Sequence, residues 1–391
     1  MSTPESPIPR PRLDSVDLLR GLIMALMVLD HTRDFFTNAR FDASDLSQTT
    51  PAIFFTRWVT HFCAPGFMFL AGVGASLAGS RGMSKPALAR FLATRGLWLI
   101  FLELTVSRLG LVFNLDYRFI PLIVLWAIGC SMLVLSALIF LPQVAIAAFG
   151  LVMIAGHNLL DGLSAEQLHL PRALWTILHN PGRVPLMSGR TCIVMYPLVP
   201  WIGVMAIGYA FGPLLRLEPS KRRRELLSIG LGATLAFIAL RASNVYGDPF
   251  KWSYQSSPLF TLMSFINCLK YPPSLLYLLM TLGPAIALLA LLDRPVSLLA
   301  RPLLVFGRVP LFFYLLQWPV LHALAIAIAA VNGQPSAWIQ VGGPFGPPPG
   351  YGYDLPFTYL MWAVTLALLY PPCRWFADLK RRRSDWWLSY L

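Results

Sequence analysis

The stretch LLRGLIMALMVLDHTRDFF (18–36) holds the residues best placed to do chemistry: Arg20 near one end, and Asp30, His31, Arg33 and Asp34 at the other. Between them the run is apolar. A charge carried into hydrocarbon costs at least ~2.5 kcal/mol, so one that is kept there usually has a task. A helix advances about 100° and ~1.5 Å per residue, so Arg20 and His31 fall on nearly one face, ~16 Å apart along the axis. Asp17, Met24 and Met27 share that stripe, and Asp17 can pair with Arg20 at i, i+3. A histidine beside carboxylates, with one ring nitrogen held by a partner, keeps the other as a general base. His31 with Asp30 is the candidate for that role. The alternative is that His31 caps the helix end while Arg33 and Asp34 anchor it at the interface.

A second stretch, TRWVTHFCAPGFMFLAGVGASLAGS (56–80), places Arg57 and His61 four residues apart on one helical face. If this helix runs antiparallel to the first, both reach the depth of His31 and a convergent polar site results. Pro65 and Gly66 follow, where a helix can open its backbone hydrogen bonding toward a cavity. Gly72, Gly74, Ser76 and Gly79 form a small-residue stripe suited to close helix contact. Cys63 reads as a small buried hydrophobe rather than a nucleophile. His31 and His61 could offer two metal ligands, but no third stands at a recognisable spacing, so no metal site is expected.

Elements able to position these residues must cross a membrane. Of the 391 residues 56% are hydrophobic and 13% charged, with a mean hydropathy of +0.62; soluble domains carry about 25% charged residues. Ten apolar runs of roughly spanning length lie near 15–35, 53–79, 88–113, 119–141, 143–160, 192–215, 226–243, 272–292, 303–331 and 356–374,. The expectation is an all-α integral membrane protein of about ten transmembrane helices with cytoplasmic termini, a single polytopic domain over 1–391. Residues 1–14 form a polar cytoplasmic N-terminus and 375–391 a basic cytoplasmic C-terminus. That topology leaves 19 of the 31 basic residues on the inner side, 11 outside and Arg20 within the first helix, which satisfies the positive-inside rule. KRRR (221–224) is then a topology anchor on anionic membrane lipids, not a nucleic-acid patch, and no nucleic-acid partner is expected. The five cysteines show no paired spacing,. The longest loops fall on the outer side, the last (332–355) rich in Gly, Pro and aromatics and read as a lid or surface loop rather than a helix.

An arginine, ten residues, then a histidine on the first membrane helix resembles transmembrane acyltransferases of the O-antigen acetylase type. The surrounding text is more similar to a sister family, the heparan-alpha-glucosaminide N-acetyltransferase-like membrane proteins in their bacterial form. RWVTHFCAPGFMFLAGVGASL (57–77), YPLVPWIGVMAIGYAFG (196–212), KYPPSLLYLLMTLGPAIALLAL (270–291) and FGRVPLFFYLLQWPVLHALA (306–325) carry that resemblance. It implies a multi-pass bundle in a bacterial inner membrane that moves an acyl group, usually acetyl, from cytoplasmic acetyl-CoA or another acyl-CoA. The acceptor is a hydroxyl or amine of a sugar-type small molecule or glycan on the far side. It assigns His31 as general base and Arg20 as the donor's partner on the conducting face, and makes Gln317 and His322 candidates on the ninth helix. Gln317 stands where bacterial relatives often carry histidine.

The residues themselves fit such chemistry. His31 with Asp30 could deprotonate the acceptor, and Arg57 or His61 could steady the oxyanion. Asp17, Arg20 and His31 mark a path from the inner boundary outward. Arg12, Arg90 and Arg95 at inner helix ends could hold coenzyme phosphates, or could simply anchor topology. The rival reading is a small-molecule or lipid transporter that uses buried Arg, Asp and His to bind substrate, to which the proline-broken KYPPS and TLGPA are equally suited.

Overall fold

The computed structural model describes residues 13–334, 350–383 and 385–391. Thus residues 1–12 of the expected polar N-terminus and 335–349 of the 332–355 loop lie outside the described residues. The chain is mostly helical, as expected. Six helical stretches are long and apolar enough to cross a membrane: Pro51–Gly79, Gln143–Leu160, Leu198–Arg216, Pro219–Ser243, Pro310–Val331 and Leu355–Arg382. That is fewer than the ten expected runs, and each difference has a local cause.

The first run forms α1 (Asp14–Phe36), whose ionic residues dilute its apolarity. Asp14 and Asp17 occupy its first turn, where the helix dipole favours carboxylates,. The second run is α2 (Pro51–Val59), a 3₁₀ turn at Thr60–Phe62, and α3 (Cys63–Gly79). Thr50 caps α2 by accepting from the Ile53 amide, with Pro51 at the first helical position,. The run at 88–113 divides into α4 (Lys85–Leu102), a π-helical stretch at Glu103–Ser107, and α5 (Arg108–Val112). Glu103 explains the division: its carboxylate is fully buried and accepts from Ser107 Oγ at 2.8 Å and from the Leu125 amide at 2.8 Å.

The runs at 119–141 and 192–215 both begin as strands. β1 (Phe119–Leu122) leads into α6 (Val124–Leu138), and β3 (Thr191–Val194) leads into α9 (Leu198–Phe211). Between them come α7 (Gln143–Gly156), α8 (Arg172–Leu178) and β2 (Gly182–Pro185). The strands make a small sheet in the order β1-β3-β2, with β1 parallel and β2 antiparallel to β3 and Leu122 opposite Val194. α10 (Pro219–Ser243) starts early enough to include KRRR, and α11 (Pro258–Ile266) is short. α12 (Leu275–Leu291) is capped by Ser274. The run at 303–331 breaks at Val309 into α13 (Arg301–Arg308) and α14 (Pro310–Val331), because Pro310 must begin a new helix,. α15 (Leu355–Arg382) outruns its expected end at 374, and a 3₁₀ turn at Trp386–Tyr390 follows.

α1 is the central helix, packed against α3, α12, α13, α14 and α15. Its closest crossing is with α13, where Gly21 and Gly307 let backbones touch: a Cβ on either would overlap a carbonyl oxygen of the other helix. α3 crosses α9 in the same way through Gly72 and Gly208. Gly74, in the same small-residue stripe, faces open space instead.

Candidate functional site

Two cavities lie along the α1 stripe. Arg20 and Met24 line one of about 300 Å³; Met27, Asp30 and His31 line the next, of about 220 Å³. Phe67, Val124 and Tyr314 line both, so the two are separated only by those side chains. The single-face geometry expected of Arg20 and His31 is therefore realised as consecutive chambers.

In the His31 chamber the ring is held from two sides. Gln317, fully buried on α14, accepts from His31 Nδ1 at 3.1 Å, while the Gln317 amide nitrogen turns to Met27 Sδ at 3.7 Å. Trp318 stacks on the imidazole with centroids 4.0 Å apart. With the amide nitrogen committed elsewhere, Gln317 presents its oxygen to His31, so Nδ1 carries the proton and Nε2 keeps its lone pair.

Asp30 does not hold the histidine; it gathers cations. Arg57 Nη1 lies 2.6 Å from both Asp30 oxygens, Arg33 Nη2 lies 3.3 Å from Oδ1, and Lys270 Nζ 3.7 Å from Oδ2. Arg33 also bonds Asp34 at 3.1 Å. Lys270 was not anticipated as a site residue. Its block, KYPPS, suggested a broken helix, and a lysine just ahead of a span resembles an interface anchor; only its 8% exposure and its place beside Asp30 reveal a site role. Tyr196, Tyr271 and Trp318 also line this chamber and were likewise missed.

His61 sits beside the site rather than on its wall. It falls in the 3₁₀ turn between α2 and α3, buried, with its ring edge-on to Tyr277 at 5.4 Å. Pro65 has no amide proton for the carbonyl four residues back, and that carbonyl is His61's. The Tyr277 hydroxyl donates to it at 2.8 Å, so the backbone opening expected at Pro65 is filled from α12,. Cys63 reaches the chamber, and its thiol donates to the Ile23 carbonyl at 3.5 Å. His322 faces away: Nδ1 donates to the Leu111 carbonyl at 3.1 Å and the ring stacks on Phe113 at 3.9 Å.

The other chamber is basic. Arg20, Arg95, Arg308 and Lys380 line it along with apolar residues of α3, α4, α6 and α14. Arg20 donates to Asp17 at 3.0 Å, the pairing read from the sequence, and to the Gly307 carbonyl at 3.2 Å. Arg308 reaches Asp14 at 3.2 Å. Of the three arginines considered for phosphates, Arg95 lines this chamber, Arg90 does not, and Arg12 lies outside the described residues.

The catalytic-domain profile of heparan-alpha-glucosaminide N-acetyltransferase matches residues 12–246, well over half of the chain. The chain belongs to that family. It is thus a multi-pass membrane protein of an acetyltransferase family whose members in general take acetyl-CoA as donor and sugar-type acceptors. No curated protein matches it. In this member of the N-acetyltransferase family the matched segment holds Asp30, His31 and Arg57. Lys270, Gln317 and Trp318, which complete the chamber, come from beyond it. Among the described residues no three His, Cys, Asp or Glu side chains gather as metal ligands.

Proposed function

We propose that this protein transfers an acetyl group from acetyl-CoA to the amine or hydroxyl of a sugar-type acceptor, with His31 as general base. The observation that carries the reading is the pair of chambers sharing Phe67, Val124 and Tyr314 as a common wall, one basic and one built around His31. Thioester chemistry needs such a division, since the donor is a long anionic molecule and the acceptor a compact polar one. Phosphate oxygens suit the Arg20, Arg95, Arg308 and Lys380 chamber, where guanidinium groups offer paired N–H donors. The pantetheine arm would pass Phe67 and Tyr314 to bring the thioester to His31.

In this reading the Arg20 end faces the cytoplasm of a bacterial inner membrane and the His31 end faces the far side, with both termini and the basic 375–391 segment inside. Gln317 sets the His31 tautomer. Asp30 draws Arg33, Arg57 and Lys270 into one ionic cluster that shapes the acceptor's chamber. His61 and His322 support the packing around that chamber.

The test uses purified protein in liposomes, with radiolabelled acetyl-CoA and glucosamine as the amine-bearing sugar. Wild type should release CoA and label the sugar, and His31→Ala should retain CoA binding but lose turnover. A wild-type protein that neither binds CoA nor consumes the thioester overturns the proposal, and uptake of a sugar without acetylation would favour the transporter reading.

A further inference from the structure

We infer that Tyr314 and Trp318 form the oxyanion hole for this transfer, with the Tyr314 hydroxyl and the Trp318 indole N–H as its two donors. This rests on the acyl-transfer reading above and adds to it the groups that face the thioester oxygen. Both residues are buried, at 4% and 3% exposure, and neither the Tyr314 hydroxyl nor Trp318 Nε1 has a hydrogen-bond partner. A buried polar group left unsatisfied costs about 1–3 kcal/mol, so two side by side need an explanation.

Their positions supply one. Four residues apart on α14, they share a face one turn apart, with ring centroids 6.4 Å apart and nearly perpendicular,. Tyr314 lies in the wall common to both chambers, at the point a thioester must pass; Trp318 lines the His31 chamber and stacks on the imidazole. Behind Tyr314 the Ser107 hydroxyl is already given to Glu103 in the π-helical stretch, so it does not satisfy the tyrosine from the rear. The nearby cations are engaged as well, Arg57 with Asp30 and Arg33 with Asp30 and Asp34.

The step balances as follows. The acceptor's lone pair forms a bond to the thioester carbonyl carbon, and the carbonyl π pair moves onto oxygen. The acceptor's proton passes to His31 Nε2. Tyr314 and Trp318 donate to the oxyanion, whose collapse breaks the C–S bond, and the departing thiolate takes the proton from His31. Donors placed for the charged oxygen and left idle in the resting protein are what such a step requires.

Tyr314→Phe and Trp318→Phe test this, because each removes an unpartnered polar group and keeps an aromatic ring, so neither threatens folding. Each should lower kcat ~10²-fold while the KM for acetyl-CoA moves by less than about threefold. The carbonyl stretch of bound carbonyl-labelled acetyl-CoA should shift to lower frequency in wild type and return toward the free value in Tyr314→Phe. Wild-type kcat in both variants, or an unchanged carbonyl stretch, overturns the oxyanion hole while acetyl transfer stands. Absence of both CoA binding and turnover in wild type overturns the transferase reading, and this inference with it.

Discussion

Asp30→Asn is the most informative single change, because one carboxylate holds three cations. Asp30 and Arg57 keep side-chain exposures of only 14% and 17%, and their 2.6 Å contacts are little screened. Removing the charge orphans Arg57 and Lys270 together, whereas Arg33 retains Asp34. Breaking a buried pair by deleting one partner costs about 3–5 kcal/mol. For a chain of this size a cost of that order lowers the melting temperature by roughly 6–10 °C. The reverse deletion, Arg57→Gln, should cost about half as much, since Asp30 keeps Arg33 and Lys270. The double variant should then be less damaged than the sum, with a coupling of about 1–3 kcal/mol. The assay is thermal unfolding of the four proteins in one detergent, followed by tryptophan fluorescence. Asp30→Asn melting within about 1 °C of wild type, or strict additivity in the double variant, would refute the claim that Asp30 organises the cluster.

Three further outcomes follow from the geometry. Gly72→Ala, whose Cβ would overlap the Met205 carbonyl oxygen, should cost about 1–3 kcal/mol, while Gly74→Ala, facing open space, should be neutral or slightly stabilising; paired melts decide,. Arg95→Gln with Lys380→Gln should raise the KM for acetyl-CoA about tenfold and leave kcat nearly unchanged, because both line the donor's chamber and not the reacting end; equal losses in kcat would place them elsewhere,. In the loop after the 143–160 helix, burial raises the Asp161 pKa, but hydrogen bonds from His179 at 3.0 Å and Asn158 at 2.7 Å outweigh it and hold the carboxyl below its usual 3.8. A carboxylate depressed in the folded state stabilises at pH values above its unfolded pKa and loses that contribution as pH falls through the folded one. Asp161→Asn should therefore melt below wild type from pH 7 to about 5, with the gap closing below about pH 4; a gap that widens on acidification contradicts this.

The sequence made the chemistry of α1 legible because one helical period relates Arg20 to His31 whatever packs around them. Asp17 with Arg20 was readable for the same reason. Partners from distant segments were not. Lys270 reaches Asp30 across 240 positions, and nothing local separates it from an interface lysine. Gln317 was noticed only through resemblance; its contact with His31 Nδ1 depends on how α14 leans on α1. Arg57 and His61 shared a face as an ideal helix, yet the 3₁₀ turn before Pro65 turned them to different surroundings. Span boundaries drifted where apolar residues served two kinds of backbone. FIPL at 119–122 and TCIV at 191–194 are as apolar as the helices they precede, so hydropathy alone could not tell strand from span.

Those two strands bear on what can reach His31. Ile123 and Val124 follow β1, Met195 and Tyr196 follow β3, and all four line the His31 chamber. The sheet ends on both sides in strands paired along one edge only, and exposed strand edges do not persist in hydrocarbon because nothing there satisfies their amides. The chamber's rim therefore belongs to the watery face of the bilayer. An acceptor can arrive fully hydrated, with no need to dissolve in lipid first. Selection then falls to the dimensions of a hydrogen-bonded collar whose pairing can slip only in whole two-residue steps if the same side chains are to face inward.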